Sequence, residues 1–173
     1  YESAFCWEER NEWFSDLWEF TGTDQARVGD GRDRSGAFPL ELPGRLIRMF
    51  STYGDTVLDP FAGTGTTTLA AMDAARNSRA CELDADLVAD FDDRLDGLPE
   101  RSRERCRRRL DEHRAFVAER EAEGKPPGYD AVHYDFPVVT KQERRIRLYA
   151  VEGIDRGERE GPDRRYGVEH VSF

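Results

Sequence analysis

The chain has 173 residues and a net charge of −10, from 36 acidic and 26 basic residues, and 38% of its residues are hydrophobic. This length fits one ordinary domain. The lack of any run of about 18 apolar residues excludes a membrane-spanning helix. The excess of acidic residues argues against nonspecific adhesion to nucleic acid. Only two of the basic residues, Lys125 and Lys141, are lysines. An acidic, lysine-poor surface is typical of a halophilic protein, although a GC-rich genome would also replace lysine with arginine.

The cysteines and histidines form no recognisable binding pattern. Cys6, Cys81 and Cys106 are widely spaced and include no CxxC pair, and no histidine lies beside them in the sequence. We therefore expect no disulfide framework and no metal site, and a reducing cytoplasm is the expected location.

The predicted elements begin with an aromatic segment over residues 1–20, which we expect to pack against a larger body. A charged loop with several glycines follows over 21–37. Apolar residues at helical spacing then predict a helix over 42–50. No internal repeat is present.

The next part of the chain predicts an α/β fold. A short buried strand over 56–59 leads into a glycine turn and a helix over 66–76, and a second strand over 79–83 precedes a helix over 85–95. This order is the beginning of a parallel α/β sheet.

The last part of the chain is predicted to extend this sheet domain rather than to build its core. A charged helix runs from Pro99 to about residue 123, residues 125–128 form a breaker, and alternating residues predict a strand over 145–151. Strong core formers are sparse over 99–128, so we expect the core to be built mainly before residue 99. The predicted organisation is a core over 1–98 and a charged helix with a small β extension over 99–173.

The most informative stretch lies between the first strand and its helix. Asp59 to Thr67 reads DPFAGTGTT, and a Gly-x-Gly turn between a strand and a helix lets a ligand approach backbone N–H groups. A nucleoside-triphosphate loop would need a Gly-Lys-Ser/Thr sequence that is absent here. A dinucleotide loop would need a third glycine where Thr68 stands, which weakens that alternative. The third candidate is S-adenosylmethionine, whose ammonium group can be bound by a strand-end carboxylate such as Asp59.

Glu82 supports a nucleoside ligand. It follows Gly63 by 19 residues and ends the second predicted strand, where an acidic side chain can accept hydrogen bonds from ribose hydroxyls. Gly63 and Gly65 would open the backbone to the ligand. Thr66 and Thr67 would either bind its carboxylate or serve as helix-start residues. The alternative is a tight turn followed by a surface glutamate.

The residues of this turn resemble the cofactor motif of the DNA amino-methyltransferases, which make N4-methylcytosine or N6-methyladenine. The upstream segment from Phe38 to Ile47, FPLELPGRLI, resembles the segment that precedes this motif in the family. Family members often carry His-Pro before the Phe, whereas Arg34 and Ser35 stand here. The order of the two segments is similar to that of the permuted branch, in which the catalytic half precedes the cofactor half. The resemblance covers about residues 34–90.

The resemblance implies a partial, Rossmann-like methyltransferase sheet with an S-adenosylmethionine site. It implies that Asp59 binds the methionine ammonium and Glu82 the ribose, and that Phe38 and Phe61 wall the pocket. The implied activity is methyl transfer to an exocyclic amine of a DNA base, in the setting of restriction–modification.

The family's catalytic motif is missing from the sequence. That motif is Asp, Asn or Ser followed by Pro-Pro and an aromatic residue, which hold the target amine and stack on the flipped base. The nearest match is KPPGY at residues 125–129, where lysine offers no acceptor and glycine replaces the aromatic residue, so we interpret it as a helix-terminating linker. We expect this chain to be the cofactor-binding half, with the catalytic half absent or supplied by a partner chain, and we assign it no catalytic residue.

A cluster of arginines is the candidate DNA contact. Six arginines occur over residues 101–109, and on a helix Arg101, Arg105 and Arg108 would share a face that could follow a phosphate backbone. The alternative is a solvated helix whose arginines pair with acidic residues of the same chain.

Two other functions remain open. A non-catalytic S-adenosylmethionine-binding remnant or subunit is favoured by the missing motif. A nicotinamide-dependent oxidoreductase is disfavoured by Thr68 and Asp59.

Overall fold

The computed structural model describes residues 2–20, 38–157, 161 and 163–173. The loop predicted over 21–37 lies outside the described residues. No helix in the described part of the chain has both the length and the apolar character needed to cross a membrane. In chain order the elements are α1 (Trp7–Trp13), α2 (Glu41–Phe50), β1 (Thr56–Asp59), α3 (Thr66–Asp73), β2 (Asn77–Ala80), α4 (Ala85–Leu95), α5 (Leu98–Ala122), β3 (Tyr129–Asp130), β4 (Pro137–Val138), a 3-10 helix (Lys141–Arg145), β5 (Tyr149–Arg156) and β6 (Tyr166–Ser172).

Residues 56–95 form the strand–helix–strand–helix unit that the sequence predicts. β1 and β2 pair in parallel, with Thr56 opposite Asn77 and Asp59 opposite Ala80, and α3 connects them. The expectation of an α/β fold is therefore confirmed for this unit. β2 begins and ends earlier than the predicted strand, because its pairing uses polar residues that an apolar pattern does not reveal.

The packing of α3 depends on small side chains. Ala70, Ala71 and Ala74 form a buried cluster with Ile47 of α2. Small residues on facing surfaces let two helices approach closely, so α3 is held between α2 and the strands. The helix predicted over 42–50 is confirmed as α2, which begins one residue earlier.

Contrary to expectation, much of the core lies after residue 99. α5 buries a stripe of residues at helical spacing, and its cysteine and leucine join a cluster with the strands that follow. The stripe contains small and polar residues, so counting only large apolar residues underestimates how much of α5 is buried. Its buried members are Leu98, Ser102, Cys106, Leu110, His113 and Val117.

The strand predicted over 145–151 is wrong at its start. Residues up to Arg145 form the 3-10 helix, and β5 begins at Tyr149 and pairs antiparallel with β6. The inward positions were correctly predicted, since Ile146 and Leu148 are buried. The backbone between these two residues does not pair with a described strand there, because the Arg147 carbonyl accepts a hydrogen bond from the Tyr53 hydroxyl at 2.6 Å.

The division at residue 98 stays a prediction. Leu95 and Leu98 share a buried cluster with Val151 of β5 and Leu69 of α3. Side chains from both sides of the predicted boundary therefore pack together.

A buried carboxylate joins α2, α3 and α5. Asp73 has only 4% of its side chain exposed and pairs with Arg48 at 2.8 Å and with Arg105 at 2.5 Å. Burial by itself would raise the pKa of Asp73, but the two guanidinium groups outweigh it and hold that pKa well below its usual range. The carboxylate is therefore ionised across the physiological range.

Asp73 makes stability depend on pH in a known direction. Its folded pKa lies below the unfolded value of about 3.9, so its contribution is present above about pH 4 and is lost as the pH falls below that value. We expect Asp73→Asn to reduce the free energy of unfolding by about 3 kcal/mol at neutral pH, because it leaves two partly buried guanidinium groups without this counter-charge.

Urea denaturation of the parent and of Asp73→Asn, from neutral pH down to pH 2, measures the difference in the free energy of unfolding. The matched control is Asp111→Asn, since Asp111 forms an exposed pair with Arg114 and should change stability by less than about 1 kcal/mol. A constant difference between parent and Asp73→Asn down to pH 2 would contradict the assignment.

Candidate functional site

The glycine turn is anchored to both parallel strands by backbone hydrogen bonds. The Ala62 amide donates to the Cys81 carbonyl at 2.9 Å, and the Cys81 amide donates to the Asp59 carbonyl at 2.9 Å. The Gly65 amide donates to the Ala62 carbonyl at 2.8 Å and closes the turn. The turn therefore lies at the carboxyl ends of β1 and β2, the usual position of ligand sites in α/β sheets.

Glu82 lies directly against this turn. Its Oε2 accepts a hydrogen bond from the Gly63 amide at 2.6 Å. Its Oε1 accepts from the Leu83 amide at 2.8 Å and the Asp84 amide at 2.9 Å. The structure thus brings together Gly63 and Glu82, which the sequence paired as candidate ligand-binding residues, and also gives Glu82 a part in shaping the turn.

The two glycines of the turn have different environments. Gly65 has a φ of +75°, and a Cβ added there would overlap the Phe91 ring. Gly63 has a φ of +56°, and a Cβ added there would meet nothing within 4 Å. Gly65 is therefore required for packing against α4, whereas Gly63 borders open space that a ligand can enter.

The threonines at the start of α3 also differ. Thr66 is buried, and its hydroxyl lies 3.2 Å from the Arg94 guanidinium, which also donates to the Thr64 carbonyl. Burial lowers the pKa of Arg94, and the nearby Arg101 lowers it further. The sequence gives no signal for Arg94, because this contact depends on how α4 packs against the turn.

Asp59 and the two aromatic candidates are more open. Asp59 is half-buried, and its Oδ1 accepts a hydrogen bond from the Phe61 amide at 3.1 Å. The Phe61 side chain is 88% exposed and Phe38 is 38% exposed. Neither aromatic ring is enclosed, and the roles of Asp59, Phe38 and Phe61 stay predictions.

A shallow apolar cleft of about 380 Å³ lies beside α2. It brings together Phe38 and Thr67, while Asp59, Phe61 and Glu82 do not line it. The lining residues are Phe38, Leu42, Pro43, Leu46, Ile47, Phe50, Ser51, Val57 and Thr67.

The three arginines predicted to face DNA have different contacts. Arg105 pairs with the buried Asp73, and Arg101 donates to the Asp96 carbonyl at 2.7 Å and to the Arg94 carbonyl at 3.0 Å. Arg108 remains 58% exposed and lies 3.7 Å from Glu112. A contact with DNA stays a prediction, and these positions favour Arg108 over the other two.

A second group of cations was not identified from the sequence. A cavity of about 1110 Å³ lies between the amino-terminal segment, the end of α2 and the 3-10 helix. Its lining includes four exposed cationic residues, Arg10 of α1 and Lys141, Arg144 and Arg145 of the 3-10 helix, and also three acidic residues, Glu2, Asp55 and Glu143.

The sequence of the chain matches that of known DNA methylases. The sequence model of the DNA methylase family matches residues 1–92. The chain is 47% identical over 150 residues to the type II methyltransferase M.MthZI of Methanothermobacter thermautotrophicus, covering 86% of this chain and 41% of that protein. It is 50% identical over 95 residues to M.MjaI of Methanocaldococcus jannaschii, covering 55% of this chain and 31% of that protein. The chain therefore belongs to the DNA methylase family and spans less than half the length of these relatives.

One similar solved structure carries a bound ligand. A candidate DNA modification methylase from Thermus thermophilus, complexed with S-adenosyl-L-methionine, aligns with a TM-score of 0.41 and 38% identity over 51% of this chain and 31% of that chain. A TM-score this low does not establish a shared fold.

The difference between the two glycines can be tested by matched substitutions. Gly63→Ala should cost about 1 kcal/mol, because alanine is strained at positive φ. Gly65→Ala should cost about 1–3 kcal/mol more, because its methyl group overlaps the Phe91 ring. Chemical denaturation measures both values, and equal losses for the two variants would contradict the packing described here.

Proposed function

We propose that this chain supplies the cofactor site of a site-specific DNA methyltransferase, which transfers the methyl group of S-adenosylmethionine to N4 of cytosine or N6 of adenine. The observation that carries the proposal is the 2.6 Å contact between the Glu82 carboxylate and the Gly63 amide. It joins the acid expected to bind ribose to the glycine expected to open the backbone, in a chain of the DNA methylase family. The relatives named type II methyltransferases support the same activity.

The residues at the turn fit a sulfonium nucleoside. The Asp59 carboxylate can bind the methionine ammonium, because its Oδ2 makes no hydrogen bond with any described residue. The Glu82 carboxylate lies at the same turn as Gly63, where an acidic side chain can accept hydrogen bonds from ribose hydroxyls. Open space beside Gly63 admits the ligand to the backbone. Thr67 and Phe38 share the cleft beside α2, where the rest of the cofactor would extend.

The bound cofactor supplies an electrophilic methyl group to the exocyclic amine. The part proposed for this chain is to hold that group in position, because alignment with the attacking nitrogen accounts for much of the rate of such transfers. Asp59 contributes charge complementarity to the ammonium, and Glu82 fixes the nucleoside end. No residue of this chain is assigned the contact with the target amine.

Exposed apolar residues around the parallel pair support a larger sheet. Leu58 on β1 is 69% exposed, Phe61 is 88% exposed and Leu83 is 103% exposed. Parallel sheets are normally covered on both faces, so large apolar residues left exposed on and beside this strand pair indicate that another segment covers them. We propose that a catalytic half, in the permuted order or on a partner chain, completes a Rossmann-like sheet at this surface and forms the pocket around Phe61.

A non-catalytic role is the second candidate. The Pro-Pro-aromatic motif with an acceptor before it does not occur in these 173 residues. A chain that binds the cofactor but lacks this motif would act as a subunit or a remnant.

DNA contacts are proposed at two surfaces. Arg108 can reach phosphates from α5, and the cavity between the amino-terminal segment and the 3-10 helix offers Arg10, Lys141, Arg144 and Arg145. A local concentration of cations on a protein of net charge −10 is favourable for phosphate binding where it occurs. We propose a cytoplasmic location, which the three free cysteines support.

Cofactor binding is tested by titration with S-adenosylmethionine. Asp59→Asn and Glu82→Gln should each weaken binding at least tenfold, about 1.4 kcal/mol, because each removes a charged contact with the ligand. Asp86→Asn is the matched control, since Asp86 is an exposed acid in the first turn of α4. Unchanged affinity in both site variants would refute the assignment, and tighter binding of NAD than of S-adenosylmethionine would favour an oxidoreductase.

Methyl transfer by the chain alone is tested with labelled S-adenosylmethionine and DNA. We expect the label in the DNA to stay at the level measured without protein, because the chain lacks the motif whose acceptor and aromatic residue hold a flipped base. A complete DNA methyltransferase in the same assay is the positive control. Labelling above background by this chain would contradict the division of functions proposed here.

A further inference from the structure

Three side chains with metal-binding atoms meet between the start of α1 and the middle of α5. The Cys6 sulfur, a Glu8 carboxylate oxygen and a His113 ring nitrogen all lie within 4.8 Å of one another. Cys6 is 2% exposed and His113 is 0% exposed, while the Glu8 side chain is 20% exposed. Cysteine, histidine and a carboxylate are the residue types with which proteins bind zinc.

The imidazole of His113 is oriented as in a metal ligand. Its Nε2 lies 3.0 Å from the Pro137 carbonyl oxygen, which only accepts hydrogen bonds, so Nε2 carries the hydrogen. Its Nδ1 lies 2.8 Å from Oε1 of Glu8. A neutral imidazole would then direct a lone pair at an ionised carboxylate, so this contact requires either a second proton or a cation. A backbone carbonyl on the far ring nitrogen is common for histidines that bind metals.

The second oxygen of Glu8 is the unusual group in this cluster. Glu8 Oε2 is buried and has no hydrogen-bond partner among the residues that the structure describes. The neighbouring carboxylates are satisfied, since Glu9 binds Arg109 at 2.5 and 2.9 Å and Glu143 accepts the Trp7 amide at 2.6 Å. A buried carboxylate oxygen without a partner is unfavourable, and a bound cation would satisfy it.

We propose that Cys6, Glu8 and His113 bind a structural zinc ion. The cysteine sulfur, Nδ1 and one Glu8 oxygen provide three donor atoms, and the unpartnered Oε2 of Glu8 is the candidate for the fourth position of a four-coordinate zinc ion. Zn²⁺ would neutralise the two negative charges of the thiolate and the carboxylate, and the thiol proton would be released to solvent on binding. The sulfur and nitrogen donors favour zinc over calcium or magnesium, which prefer oxygen ligands.

The ion would tie together three parts of the chain. Cys6 precedes α1, Glu8 lies within it, and His113 lies on α5 and also binds Pro137 of β4. The expectation of no metal site rested on sequence spacing, which does not show that α1 packs against α5. A ligand that binds only the folded chain stabilises it, so zinc should protect this junction against unfolding.

The experiment uses the full chain with Cys81→Ser as the background, because Cys81 is exposed and could bind metal independently. Metal is removed with a chelator, one equivalent of Zn²⁺ or Co²⁺ is added, and unbound metal is removed by gel filtration. Bound zinc is measured by elemental analysis, cobalt–thiolate bonding by its charge-transfer absorption, and stability by the melting temperature. Cys6→Ser is compared with Cys106→Ser, a matched control because Cys106 is also buried and lies on α5.

We expect about one zinc per chain, a cobalt–thiolate band and a higher melting temperature with zinc. All three should be lost in Cys6→Ser and kept in Cys106→Ser, and His113→Gln should weaken zinc binding at least tenfold. If the Cys81→Ser protein shows neither bound zinc nor the cobalt band, the proposal is overturned. His113 and Glu8 would then share a proton in place of a metal ion. A band that persists in Cys6→Ser would overturn the proposal as well. Both metal readouts are independent of S-adenosylmethionine, DNA and methyl transfer.

Discussion

The position of α3 depends on one buried carboxylate. Asp73 at the end of this helix binds Arg48 of α2 and Arg105 of α5. Because the helix begins at the glycine turn, fixing its last residue also fixes the direction in which the turn leaves β1. The ion pair therefore acts together with the alanine packing of α3 to set the direction of the helix that follows the turn. The same contact explains why an arginine that looks available for DNA in the sequence is held inside the protein.

The local order of the fold could be predicted because residues 56–95 follow simple rules. A short apolar strand, a glycine turn and an alanine-rich helix predict β1 and α3 within a few residues. The second half of the chain does not follow these rules. α5 buries Ser102 and His113, and polar residues in a core depend on partners that only the fold supplies: the Ser102 hydroxyl accepts the Val151 amide at 3.0 Å. No periodicity of apolar residues shows such a contact.

The candidate site could be predicted only in part, for a related reason. The spacing of Gly63 and Glu82 was readable because both follow strands whose ends meet at one edge of the sheet. The hydrogen bond from the Arg94 side chain to the turn could not be predicted, because it depends on how α4 packs against the turn. The convergence of Cys6 and His113 has the same origin, since two helices distant in sequence bring them together.

The exposed position of Leu58, Phe61 and Leu83 has a thermodynamic consequence. If another segment covers these residues and completes the sheet, and that segment also closes the pocket, then ligand binding and assembly are coupled equilibria. Each would strengthen the other by the same factor, as linkage requires. The affinity of the isolated chain for a nucleoside would then be a lower limit, and its dependence on an added partner would measure the coupling free energy directly.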